Sequence, residues 1–159
     1  MKKIAIISNQ SFSLINFRGE LIRKLTAADV KVYAMAPDFD AASRASVINL
    51  GAIPINISLS RSSISPLRDI LALINLVGIL FAIKPDVVLS YTIKPVIYGI
   101  LASWIVRVPH RVAMIEGLGY VFTTEYEKLS IKRKLLFKIA TNLYRVALKC
   151  AHLVIFLNR

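Results

Sequence analysis

The chain has 159 residues, enough for one domain, and 56% of them are hydrophobic, which supplies a sizeable buried core. Its formal net charge of +12 calls for an anionic partner. No zinc, helix-turn-helix or RNA-binding signature accompanies that charge, which speaks against nucleic acid and for an anionic membrane surface.

One cysteine, Cys150, excludes an internal disulfide, and two separated histidines beside it give no metal-ligand spacing. With no basic, apolar and cleavage-site pattern at the start, the expected location is cytoplasmic. Ile4 to Ile7 reads as a first buried strand and Ser8 to Ser13 as the loop after it. Leu14, Phe17, Leu21, Ile22 and Leu25 then recur at helical spacing. Val30 to Ala36 reads as a second strand. Asp40 is placed to cap a helix that stops at Gly51, and Ala52 to Ile57 makes a third strand. Ser65-Pro66 opens a helix that closes at Lys84-Pro85. Its Ile70 to Ile83 part is the most apolar stretch, but 14 residues with Asn75 and Gly78 inside fall short of the roughly 20 that span a bilayer, which predicts a buried or interfacial helix.

From Pro85 to Gly119 the chain carries its densest pattern. Val87-Val88-Leu89 reads as a buried parallel strand, followed by the polar Ser90-Tyr91-Thr92-Ile93-Lys94-Pro95. Pro95 suits a first helical turn, Val96 to Val106 a crossover helix, and Arg111 to Ile115 the next strand, which empties into Glu116-Gly117-Leu118-Gly119-Tyr120. Ligands of open parallel sheets bind outside the carboxyl ends of the strands, so these two clusters should lie side by side on a working edge. A sixth strand-like run, His152 to Leu157, completes the series. The regular alternation predicts an α/β fold, a Rossmann-like doubly wound parallel sheet, as a single domain over residues 1–159.

Dinucleotide binding fits poorly, because Ser8 to Ser13 fills the turn where the fingerprint needs glycines. There is no Walker-type phosphate loop and no nucleophile elbow of a serine hydrolase.

Lys3-Ile4-Ala5-Ile6-Ile7 with Asn16-Phe17-Arg18-Gly19, Lys84-Pro85-Asp86-Val87-Val88 with Ser90 to Pro95, and Glu116 to Tyr120 together resemble the N-terminal domain of family 4 glycosyltransferases of bacterial surface-polysaccharide gene clusters. The likeness covers essentially the whole chain, and the SYTIKP and EGLGY stretches are its most specific parts. It implies one half of a GT-B architecture: an acceptor-side domain facing a donor-binding domain that this chain lacks. It further implies retention of configuration, no metal and no cofactor. The implied partners are a nucleotide-sugar donor, held through the missing half, and a lipid-linked glycan acceptor, commonly on polyprenyl diphosphate. The implied location is peripheral, on the inner face of the cell membrane. The alternatives are a non-catalytic acceptor-recruiting subunit of a split enzyme, completed by a C-terminal-half partner, and an inactive truncated product.

Carried over by position, the resemblance puts Gly19 where the loop after the first strand meets its helix, close to donor phosphates, a place that ordinary packing of helix on strand explains equally well. Lys94 becomes a phosphate contact or a solvated turn lysine. Tyr91 and Tyr120 become sugar-stacking rings or core and rim residues. Gly117 and Gly119 provide positive φ and room for a ligand. Glu116 stands where related enzymes often place a histidine, and it is the candidate for a catalytic role.

From Lys128 onward the chain has eight basic residues and no acid. At about 100° per residue, Lys134, Lys138, Arg145 and Lys149 share a sector, with Leu135, Leu136, Ile139, Leu143, Val146 and Cys150 on the adjacent face. Such a basic amphipathic helix predicts contact with an anionic membrane, or else a packed helix with a solvated outer side.

Overall fold

The computed structural model describes residues 1–59, 66–116 and 131–157. Six strands form one parallel sheet: β1 (Lys3–Ile7), β2 (Lys31–Ala36), β3 (Ile53–Asn56), β4 (Val87–Tyr91), β5 (His110–Ile115) and β6 (Leu153–Phe156). Their spatial order is β3-β2-β1-β4-β5-β6. The strand order therefore reverses at the β1/β4 joint, the switch point beside which doubly wound sheets bind ligands. The short apolar runs of β1, β2 and β4 become the central strands because both of their faces are covered.

Helices α1 (Ser11–Ala27) and α2 (Ala41–Asn49) cover one face, where Leu14, Ile22 and Val47 pack on Ile6, Val32, Ala34 and Leu89. On the other face, α3 (Pro66–Ile83) sends Ala72, Leu76 and Leu80 onto Ala5, Ile7 and Val88. Beside it run a π-helical turn (Pro95–Gly99) continuing into α4 (Ile100–Ile105), and then α5 (Ile131–Cys150).

Local chemistry explains the boundaries. Asp40 and Ser43 form a reciprocal capping box at the start of α2, and Gly51 takes φ +84° after its end, both as expected. Asp29, Lys84 and Arg107 adopt the same left-handed conformation after α1, α3 and α4, although none is a glycine. Pro95 lies in the first turn of its helix as predicted, after helical Ile93 and Lys94, but Pro95–Gly99 is π rather than α. In that turn Gly99 lies so close to β4 that an added Cβ would be 2.5 Å from Ser90 Oγ.

Two boundaries depart from the sequence reading. The first helix begins at Ser11, three residues before the predicted run, because the Asp38 carboxylate accepts from Ser11 N–H at 2.6 Å. Strand β4 continues through Ser90 and Tyr91 because both are paired across the sheet: Ser90 with Ile7 and Ala113, Tyr91 with Met114.

Candidate functional site

The carboxyl ends of β1, β4 and β5 meet beneath the first half of α1. Ser8 follows β1, Tyr91 ends β4 and Glu116 follows β5, so the Ser90–Tyr91 part of the first polar cluster lies beside Glu116, the described residue of the second. What joins them is Arg18. Its guanidinium Nη2 is ion-paired with Glu116 Oε1 and lies 3.0 Å from Met114 Sδ, while Nη1 donates to the carbonyl of Phe17 at 2.9 Å. The guanidinium carbon sits 4.8 Å from the centre of the Tyr91 ring, within cation–π range. Arg18 projects inward because it occupies the i+4 position between buried Leu14 and buried Ile22, and an arginine there is tolerated only with a carboxylate and a ring to meet it.

Tyr91 is fully buried. Its phenol is pushed to higher pKa chiefly by burial, with Ser13, Ser8 and the Arg18 cation pulling the other way, so it stays protonated at neutral pH. Arg18 Nε, Ser90 Oγ and Thr92 Oγ1 are buried polar atoms without a hydrogen-bond partner among the described residues. Such orphaned donors and acceptors concentrate at this edge of the sheet, where strain and binding capacity tend to coincide.

A second cluster lies on the α3 side of the same edge. Lys94 Nζ is 2.8 Å from Asp69 Oδ1, with both side chains largely shielded from solvent. The Tyr98 hydroxyl donates to the same carboxylate; burial first, and the negative Asp69 second, hold its pKa well above the usual phenol value.

Several sequence expectations change here. Tyr91 offers no ring face to a sugar, being buried under Arg18. Lys94 is neither a solvated turn lysine nor an unengaged cation, because Asp69 holds it. Gly19 is not at a loop-to-helix junction but in the interior of α1, facing Leu50, which an added Cβ would meet at an ordinary 3.6 Å. Gly117, Gly119 and Tyr120 lie outside the described residues. Among the described side chains of α5, Tyr144 and Ala147 are buried and Leu143 and Cys150 pack partly buried beside them, so the core-facing sector overlaps the predicted one but is rotated from it. Ile139 and Val146 are exposed beside Lys138, Arg145 and Lys149, Lys134 is half-buried, and the side chains of Leu135 and Leu136 lie outside the described part. Arg18 was not singled out from the sequence, although a lone arginine inside an apolar i, i+4, i+8 row was a signal.

The α1 N-terminus, where dinucleotide folds seat a phosphate, already holds the Asp38 carboxylate. A hollow of about 300 Å³ lies beside it between α1 and α2, bordered by Phe12, Ile15, Asn16 and Ser46. Among the described residues no three His, Cys, Asp or Glu side chains converge.

The sequence pattern of the glycosyl transferase 4-like family matches residues 3–158. The chain belongs to that family. A curated relative from Campylobacter jejuni, an N,N'-diacetylbacillosaminyl-diphospho-undecaprenol alpha-1,3-N-acetylgalactosaminyltransferase, is 27% identical over 156 residues, which are 98% of this chain and 40% of the relative. Among solved structures, Phytolacca americana apo UGT2 is similar with a TM-score of 0.63 at 8% identity, over 98% of this chain and 46% of that one. The Neisseria meningitidis UDP-GlcNAc 2-epimerase bound to UDP-GlcNAc has a TM-score of 0.56 at 14% identity, over 98% and 45%. The glycosyl transferase 4-like chain thus spans less than half the length of these proteins, and its fold is one Rossmann-like half of the GT-B architecture.

Proposed function

We propose that this chain is the acceptor-side domain of a retaining glycosyltransferase. The reaction moves a sugar from a nucleotide-sugar to a glycan acceptor carried on a lipid, with polyprenyl diphosphate the expected carrier. The observation that carries the reading is the family match over residues 3–158 with a relative that, by its name, acts on a diphospho-undecaprenol-linked sugar. The Arg18–Glu116 pair at the carboxyl ends of β4 and β5 supports it, since that edge would face a donor-binding domain. Glu116 there has one oxygen engaged by Arg18, leaving the other to accept a hydrogen bond from an acceptor hydroxyl. Arg18 fixes the direction of that carboxylate. Gly117, Gly119 and Tyr120 complete the acceptor side in this reading. The domain would work peripherally on the cytoplasmic face of a membrane, as part of surface-polysaccharide assembly such as O-antigen or capsule.

Alone, the domain transfers no sugar in this reading. Holding donor and acceptor together in near-attack geometry supplies about 7–11 kcal/mol of barrier reduction, and half a cleft forfeits it. Calorimetric titration with uridine-diphosphate sugars should show no saturable binding at concentrations below about millimolar, a free energy near −4 kcal/mol. Activity should appear when a C-terminal half is supplied in the same chain or as a partner. Turnover by the purified 159-residue chain with no second protein present would overturn the reading. The other reading is a recruiting subunit of a split enzyme. It is favoured if the isolated chain binds a lipid-linked acceptor and a separate partner restores transfer.

A further inference from the structure

Helix α3 is apolar on both sides. Its inner side, Ala72, Leu76 and Leu80, is built into the core at 0–1% exposure. Its outer side carries Leu67, Ile70, Leu71, Ile74 and Phe81 at 55–70% exposure, with Gly78 in the same row. At 1.5 Å per residue the row is roughly 21 Å long and has no polar residue in it. A surface helix of an ordinary water-soluble domain puts charged and polar residues on that side.

The surroundings identify what covers this row. Helices α3, α4 and α5 form one layer on one face of the sheet, and Trp104 of α4 is 53% exposed there. The three helices contain one acid, Asp69, which Lys94 already neutralises, against Arg68 and six basic residues of α5. Of the latter, Lys138, Arg145 and Lys149 are exposed beside apolar Ile139 and Val146. An apolar row flanked by cations complements the acyl boundary of an anionic bilayer better than it complements a protein surface. At 18 residues α3 is longer than the 14-residue run read from the sequence and is long and apolar enough to cross a membrane by length and composition alone, but its packing favours lying in the plane, because crossing would pull Leu76 and Leu80 from the sheet.

We propose that α3 is an in-plane membrane anchor: its Leu67-to-Phe81 row sinks into the acyl boundary of an anionic bilayer, and the α5 cations engage the headgroups. The row, not the basic helix, then carries the salt-resistant part of binding. The α3–α4–α5 layer faces the membrane and the α1–α2 layer faces away, while the Arg18–Glu116 edge lies at the side, open to a lipid-borne substrate. This rests on the membrane-associated reading above and adds the element and the orientation.

Trp104 is the chain's single tryptophan, so it reports on this layer without labelling. The chain is mixed with vesicles of phosphatidylcholine and phosphatidylglycerol, and binding is read by flotation, by the Trp104 emission maximum and by quenching with brominated acyl chains. The wild type should float, shift its emission to the blue and be quenched. A triple variant, Ile70→Ser, Leu71→Ser and Ile74→Ser, changes only exposed positions, and its circular dichroism and melting should match the wild type. Its partitioning should fall on the order of tenfold or more, from the apolar area withdrawn. Lys138→Gln, Arg145→Gln and Lys149→Gln together should remove the salt-dependent part only, leaving binding in 1 M salt, where the Debye length is about 3 Å. If the α3 variant binds as tightly as the wild type while the α5 variant does not, the anchor is wrong and membrane association stands. If the wild type ignores vesicles altogether, both fall. If sedimentation without lipid shows a dimer that the α3 variant abolishes, the row is a protein interface and the proposal is overturned.

Discussion

Replacing Gly99 by alanine tests whether the crossover helix is seated on the end of β4 as tightly as the geometry indicates. An added Cβ would lie 2.5 Å from Ser90 Oγ and 3.0 Å from Ile7 Cδ1, both in the fully buried core. Overpacking of this kind costs about 1–3 kcal/mol, and alanine recovers up to about 1 kcal/mol of helix propensity, so a net loss of about 1–2 kcal/mol is expected. For a domain of this size that lowers Tm by roughly 2–8 °C, readable by circular dichroism. Ser90 supplies the internal control. Its Oγ is buried without a partner, so Ser90→Ala alone should be neutral or stabilising, because an unmet hydroxyl is lost. In the double variant the 2.5 Å contact disappears and Ser90 Cβ stays at an ordinary 3.5 Å, so most of the loss should be restored, a coupling of at least about 0.5 kcal/mol. An unchanged Tm for Gly99→Ala, or a double variant whose loss equals the sum of the singles, would refute this packing argument.

Two further outcomes concern Arg18 and Asp40. Arg18→Lys should destabilise the chain by about 1–3 kcal/mol, because the pair with Glu116 is largely shielded and a lysine cannot reach that carboxylate, cover Tyr91 and meet the Phe17 carbonyl at once; a Tm equal to wild type argues that the pair contributes nothing. Asp40 is held below its ordinary pKa of 3.8, chiefly by the Ser43 hydroxyl and then by the Ser43 N–H. A carboxylate whose folded pKa is depressed contributes stability that is present above its unfolded pKa and lost as pH falls through the folded one. Wild type should therefore lose more Tm than Asp40→Asn between pH 5 and pH 3, about a unit either side of that pKa, with no difference in slope between pH 6 and pH 8, where the group stays charged; parallel curves throughout would show that the cap does not titrate as described.

The strands and most helices were legible because their signals are local. β1 and β2 are short apolar runs, and Asp40 with Ser43 is a complete cap within four residues. The misreadings share a cause, which is distance along the chain. The start of α1 depends on Asp38, 27 positions away, and the fate of Glu116 depends on Arg18, 98 positions away. Ser90 and Tyr91 looked like a surface loop because they are polar, but a central strand pairs its residues on both sides whatever their side chains. On α5 the wheel grouped Leu143 and Cys150, which do pack on the core, with Ile139 and Val146, which are exposed, and the core took the small and aromatic Ala147 and Tyr144 beside them. An angular pattern fixes which residues share a side, not which side the rest of the protein covers.

The seam between β1 and β4 has a kinetic consequence. Every other strand pair in the sheet joins neighbours in sequence, whereas here Lys3 N–H reaches the Asp86 carboxylate across 83 positions. The loop-closure entropy of so long a separation grows only by about 0.6 kcal/mol per doubling, so the seam is affordable at equilibrium. It is non-local contacts of this kind that slow folding. Two three-stranded lobes, β1–β3 and β4–β6, should therefore gather first and join late. Until they do, the apolar edge of β1 at Ala5, Ile6 and Ile7 stands open to the wrong strand. Refolding yield should accordingly fall as protein concentration rises, from a chain whose native sheet keeps that edge fully buried.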